Sequence, residues 1–331
     1  MNIKTAALLY CLFTLAGCDS DDESQFALPT PALEKADYDD AFERLTFDCI
    51  HERDHLPPLD ADAQMLYLYG LHLTQKPGPR DFDQAARYYR IAAAFGHYRA
   101  STNLQELLSQ GFTNAPQAAK ETINLVQESI ARKIPGAYYD MGHYLELGYG
   151  VKQDSAAARV YFRRAADLGN PEAQYYVADT LRRIKGAGDV ALKMLRCAKE
   201  QGHAVAAAEY AISQQNEKKF SEAILASQVA AASGDSMSAR ALEKAFSGPG
   251  PDNTHYHALD KDLERSRRYK VINHFLRKYE HLGAKVPDID KIVPLPPAEL
   301  PDWDETFEWK RKREAAVPPS PPSEDLIAKM C

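Results

Sequence analysis

The sequence predicts an all-α fold: a right-handed superhelical solenoid of stacked helix pairs, ending in a proline-rich C-terminal strap. Three observations carry this expectation. Glycines close successive units at Gly96, Gly169, Gly202 and Gly234, with steps of 73, 33 and 32 residues, so the first step conceals one degenerate copy. Eleven residues before each glycine stands an alanine (Ala85, Ala158, Ala191, Ala223), and four residues before it stands another (Ala92, Ala165, Ala198, Ala230). Beyond the last unit, nine prolines fall between Pro287 and Pro322, together with both tryptophans, Trp303 and Trp309.

Internal repetition of this length marks an array whose units cannot bury their apolar faces alone and must stack. Alanines seven apart lie two turns apart on one helix face, where lack of bulk lets a neighbouring helix approach. The glycine ends the helix in a backbone conformation that residues with a Cβ disfavour. Tyr88-Tyr89, Tyr161-Phe162 and Tyr175-Tyr176 supply large packing volumes between layers.

Read from the N-terminus, residues 1–17 form a leader, with a basic start at Met1–Lys4 and an apolar run too short to span a bilayer. Leu15-Ala16-Gly17-Cys18 resembles a bacterial lipobox, which implies cleavage before Cys18 and lipidation of that residue. Asp19 behind it resembles the signal that retains many lipoproteins at the inner membrane, so a periplasmic, lipid-anchored location is expected. Several acyl chains would hold the chain firmly, each methylene contributing about 0.8 kcal/mol. Residues 18–34 are acidic and end in Pro29-Thr30-Pro31, a flexible tether. Residues 35–62 read as an N-terminal cap, helical over 35–55, and residues 63–283 as the solenoid. Its copies fall at 63–97, 98–135 (the degenerate one), 136–170, 171–203 and 204–235. A sixth pair starts at Ser236, turns through Gly248-Pro249-Gly250-Pro251 and returns as a long helix over 256–282. Residues 284–331 form the strap, extended through Pro294-Leu295-Pro296-Pro297 because proline lacks a donor and clashes with a preceding helical turn. Short helices are expected over 306–316 and from Ser323.

Composition bounds the function. With 45% hydrophobic and 26% charged residues the chain is globular, and a net charge of −7 argues against nucleic acid as partner. Of five cysteines, Cys11 leaves with the leader and Cys18 is lipidated, which leaves Cys49, Cys197 and Cys331. Cys197 sits among apolar helix positions and reads as a small hydrophobe. If one pair forms, Cys49 with Cys331 is the expected one.

No motif makes a convincing active site. His51-Glu52-Arg53-Asp54-His55 fits the zinc-protease pattern, but Pro57-Pro58 would stop its helix at once, and a third ligand on a continuing scaffold is missing. His255 and His257 beside Asp252 fit a loop or a helix cap better than a metal site. Arg182-Arg183 and Lys310-Arg311-Lys312-Arg313 read as solvated helix faces. Gly-x-Ser-x-Gly, a phosphate loop and CxxC pairs do not occur. The expectation is therefore a binding protein without cofactor or metal, and not an enzyme.

One stretch fixes the repeat type. Ala137-Tyr138-Tyr139-Asp140-Met141-Gly142-His143-Tyr144-Leu145-Glu146-Leu147-Gly148-Tyr149-Gly150-Val151 is followed by Ala158, Tyr161-Phe162, Ala165-Ala166 and Gly169-Asn170. This resembles the Sel1-like repeat, a relative of TPR helix pairs, whose first helices line a concave face. That resemblance implies that Asp140, His143 and Tyr144 of one unit, and Tyr176, Asp179 and Arg183 of the next, face a partner protein. The wider arrangement is a lipobox, a cap ending Pro57-Pro58-Leu59-Asp60, Sel1 units, and a strap with Leu300-Pro301-Asp302-Trp303. It resembles Sel1-repeat lipoproteins that act as immunity proteins against phospholipase D-type toxins of type VI secretion. Such a toxin site holds phosphate through histidines and lysines, so Asp302, Trp303 and Asp304 are further candidate contacts. Competing readings are an envelope adaptor and, more remotely, a zinc or cell-wall hydrolase.

Overall fold

The computed structural model describes residues 46–330. The leader, Cys18, the tether, residues 35–45 of the cap and Cys331 lie outside these residues. Twelve helices pair in chain order: α1 Ala61–Gln75 with α2 Phe82–Ala94, α3 Tyr98–Ser109 with α4 Ala118–Ala131, and α5 Pro135–Leu147 with α6 Ser155–Asp167. They continue as α7 Pro171–Leu181 with α8 Gly188–Glu200, α9 Ala204–Asn216 with α10 Phe220–Ala232, and α11 Ser236–Phe246 with α12 Leu263–Lys278. Among the described residues there is no strand.

The junctions between pairs explain the spacing seen in the sequence. All eight spaced alanines are at most 2% exposed, so each marks a close helix contact. The four closing glycines have φ between 81° and 115°. The residue after each of them caps the next helix: the side chains of His97, Asn170, His203 and Asp235 accept from the backbone N–H of Ala100, Ala173, Ala206 and Ser238. The Asn170 and Asp235 caps each contribute about 1 kcal/mol. The degenerate copy keeps the geometry with different residues. Thr122 and Ser129 stand where the other units place alanine, and Lys133 takes the glycine's role at φ 59°.

Two glycines inside first helices have a different purpose. A Cβ on Gly142 would meet Phe162 Cε1 at 2.5 Å, and one on Gly70 would meet Tyr89 Cε1 at 2.7 Å. In both units an aromatic ring of the second helix lies flat in the slot that the glycine leaves open.

Both ends depart from expectation. The segment 46–55 forms no α-helix: residues 46–51 have no regular secondary structure and Glu52–Asp54 form one 3-10 turn. It runs across the turns that join units. A Cβ on Gly169 would come within 2.6 Å of the His51–Glu52 backbone, so the segment crosses where the repeat has no side chain. Glu52 N–H donates to Gln201 Oε1 at 2.8 Å, and Gln174 Nε2 donates to Ile50 O at 3.0 Å. The expected Cys49–Cys331 pair is replaced by a Cys49–Cys197 disulfide, which closes a separation of 148 residues. Cys197 is thus a crosslink and not merely an apolar side chain; sequence distance concealed a contact that the crossing segment creates.

At the other end, α12 begins at Leu263 and not near 256, because Asp262 caps it and 251–262 form a loop. His257 is buried in that loop, its Nδ1 2.9 Å from His255 O, and neither histidine caps a helix. The strap contains α13 Ile289–Ile292, α14 Glu308–Ala315 and α15 Glu324–Met330. It packs on the last pair through Val286, Ile289, Ile292 and Val293, with Phe307 stacked on Phe275 at 3.8 Å. Arg265 and Arg268 of α12 are buried beneath it, donating to Pro294 O at 3.0 Å and Ile292 O at 2.6 Å. Then α15 returns to the first pair: Ile327 and Met330 join its core, and Lys329 Nζ lies 2.6 Å from Asp62 Oδ2. The eight residues 316–323 between α14 and α15 make nine Cα steps and reach about 32 Å at most, so the array bends enough for α15 to meet the first pair.

Candidate partner-binding face

An aromatic stack of α5, α6 and α7 lies at the junction of the third and fourth pairs. Phe162, seated on Gly142, meets Tyr176 at 4.2 Å, His143 at 4.8 Å and Tyr139 at 5.6 Å between ring centroids. Glu146 ties this stack together, accepting from Tyr176 OH at 2.7 Å while its other oxygen lies 3.3 Å from His143 Nδ1. Burial pushes the Tyr139 and Tyr176 phenols up to about 12, so both remain neutral donors. Tyr144 OH reaches Gln105 Oε1 at 3.4 Å, which joins the third unit to the second.

Acidic groups border the stack. Asp140 is pushed up to about 7, first by burial and then by the neighbouring Glu52 and Glu172 carboxylates. Its side chain still touches solvent, so it sits in a recess and is not sealed in the core. Glu52 is raised as well, chiefly by burial, although it accepts from Asn170 Nδ2 at 3.0 Å. Asp179 lies 2.5 Å from Arg182 Nη2 and 2.7 Å from Arg183 Nη2, and Arg182 continues to Glu209 at 2.6 Å. This is a string of surface ion pairs from α7 to α9.

The sequence-derived candidates therefore divide. Asp140, His143 and Tyr176 share the stack or its acidic border, Tyr144 lies beside them, and Asp179 and Arg183 belong to the adjoining ionic string. The strap residues stand apart, on the last pair. Trp303 Nε1 donates to Thr306 O at 3.0 Å and its ring meets Phe307 at 5.6 Å. Asp304 accepts from Thr306 Oγ1 at 2.6 Å and from Thr306 N–H at 3.0 Å, which holds its carboxyl below the usual range. Trp303 thus packs the strap onto this chain's own solenoid, with Arg268 over its ring at 5.8 Å, whereas Asp304 holds a local turn of the strap and, like Asp302, is exposed. Glu52 and Glu172 were not among the candidates. Glu52 drew attention only through the zinc-protease pattern, and that pattern needs His51 and His55 one turn apart on an α-helix, which this segment does not form.

The Sel1 repeat family matches residues 61–97 and 135–170, and a domain of unknown function, DUF6396, matches residues 238–331. No curated protein matches the chain. Among solved structures, the immunity protein PA5088 from Pseudomonas aeruginosa is 26% identical with a TM-score of 0.59, covering 76% of this chain and 94% of that one. The immunity protein Pa5087 from the same organism is 26% identical with a TM-score of 0.57, covering 76% and 95%. A Sel1 repeat protein from Oxalobacter formigenes is 20% identical with a TM-score of 0.51, covering 66% and 87%, and shows the fold alone. The matched units, the helix pairs and the two immunity-protein structures together make this chain a Sel1-repeat solenoid, similar to immunity proteins of Pseudomonas aeruginosa.

Proposed function

We propose that the chain is an immunity protein, a periplasmic lipoprotein that binds and neutralises a phospholipase D-type toxin of type VI secretion. The observation that carries this reading is the similarity to two immunity proteins across about three quarters of the chain. The aromatic stack supports it. Aromatic side chains bordered by Asp140, Glu52 and Glu172 suit a partner whose active-site entrance is cationic, as a phosphate-binding site must be. The lipid anchor at Cys18 holds inhibitor and toxin at one membrane surface and raises their effective concentration. The work of the chain is binding; no bond of a substrate is broken by it.

The test is co-expression in cells that export the phospholipase toxin encoded nearest this chain's gene. Co-expression should restore growth, purified chain and toxin should form a stable complex, and Tyr176→Ala with His143→Ala should weaken both. A complex without protection would instead support the adaptor reading. Growth and lipid loss unchanged by the chain would overturn the proposal.

A further inference from the structure

The disulfide does not stand alone. Sγ of Cys49, Sγ of Cys197 and a ring nitrogen of His51 all lie within 4.8 Å of one another. Glu200 joins them from the end of α8, its Oε2 3.7 Å from His51 Nε2 and 4.0 Å from Cys49 Sγ. Two sulfurs, one imidazole nitrogen and one carboxylate oxygen are the donor types that tetrahedral zinc accepts. Bonds of about 2.0–2.3 Å to such donors put neighbouring ligand atoms roughly 3.3–3.8 Å apart, close to the two separations that Glu200 makes. The Cα atoms of the cysteines are 5.6 Å apart, so side-chain rotation alone can open the sulfurs to that distance. Entry is available: an open cavity of about 190 Å³ is lined by Phe47, Cys49, Lys193, Arg196, Cys197 and Glu200. Cys197 is fully buried, whereas Cys49 is exposed, so a reductant in solution can attack the pair at Cys49.

We propose that these four residues form a redox-exchangeable staple, a disulfide when oxidised and a zinc site through Cys49, His51, Cys197 and Glu200 when reduced. A dithiol reductant delivers two electrons and two protons to the Cys49–Cys197 bond and leaves as its own disulfide. Zinc then displaces the two thiol protons and bridges the sulfurs that were joined. In either state the segment 46–55 stays fixed across the turns of the third and fourth pairs, and Glu52 stays beside Asp140. The segment therefore needs no oxidant to reach its place.

The experiment uses the mature chain carrying Cys18→Ser and Cys331→Ser, so that only these two thiols remain. After reduction and removal of reductant under anaerobic conditions, it is titrated with Co²⁺ and then Zn²⁺. The expected result is one Co²⁺ per chain with the visible bands of a tetrahedral thiolate site, displaced by one equivalent of Zn²⁺. Oxidised chain should show none. His51→Ala and Glu200→Gln should each weaken affinity by at least about tenfold, and Zn²⁺ should raise the Tm of reduced but not of oxidised chain. Absence of thiolate–cobalt bands in reduced, folded protein would overturn the proposal. Bands that survive His51→Ala at unchanged affinity would overturn the four-residue site.

Discussion

Replacing Gly142 by alanine should destabilise the chain, although alanine is the better helix former. In a helix interior the exchange gains about 1 kcal/mol from propensity. Against this stands the ring of Phe162, whose Cε1, Cδ1 and Cζ would lie 2.5, 2.6 and 3.0 Å from the new Cβ. Contact at an ordinary distance requires a shift of about 1 Å, and Phe162 has little freedom to make it. The ring is 1% exposed and is boxed by Tyr176, His143 and Tyr139 at 4.2, 4.8 and 5.6 Å. Overpacking of this kind costs about 1–3 kcal/mol, and the tight box places it near the upper end. The net loss is about 2 kcal/mol, or roughly 3 °C in Tm for a chain of this size. Circular dichroism melts of the wild type, Gly142→Ala and Gly142→Ala/Phe162→Leu would measure it, the smaller leucine recovering part of the loss. Gly188→Ala is the control: a Cβ there meets nothing within 4 Å, so that variant should be as stable as wild type or more so. Gly142→Ala equal to or more stable than wild type would refute the argument that this glycine exists to seat the ring.

Three further outcomes follow from the structure. Lys133→Gly should stabilise by about 1 kcal/mol, because Lys133 holds φ 59° where glycine is unstrained; a lower denaturation midpoint would count against a purely backbone cost. Asp140→Asn should raise Tm at pH 8 and change it little at pH 4. A folded pKa of about 7, above the unfolded value, means that stability from this group is present at low pH and lost as pH rises through 7. The ceiling is about 4 kcal/mol, and water in the recess reduces it to about 1–2 kcal/mol; a Tm difference that does not grow between pH 4 and 8 would contradict the assignment. Removing residues 316–331 strips Ile327 and Met330 from the first pair, about 1.5–3 kcal/mol each. Amide exchange should then accelerate in α1 and α2 but not in α11 and α12, whereas unchanged exchange in α1 would show that α15 does not dock there.

The strap illustrates how far the reading of single residues carries. Prolines told that residues 294–297 could not be helical, and Trp303 marked the strap as a contact element. They did not tell where, because a tryptophan is equally suited to a partner or to its own domain. Arg265 and Arg268 decide the matter by donating to carbonyls that a proline-rich segment leaves without helical partners. Their spacing on α12 resembles that of any solvated helix face, so nothing in the sequence distinguishes them.

What the sequence by itself determined was local and periodic: the stacked helix pairs, the alanine contacts and the glycine turns. These follow from backbone conformation and from side-chain size at fixed spacing, which each unit expresses within some thirty residues, as the 33- and 32-residue steps show. Tertiary structure alone decided the contacts between segments remote in the chain. The bend of the array brings α15 to the first pair, the side-chain-free turn at Gly169 accepts residues 46–55, and that crossing joins Cys49 to Cys197 and carries Glu52 to Asp140. The physical reason is that each of these depends on the summed rotation of several pairs, a quantity that no single unit encodes.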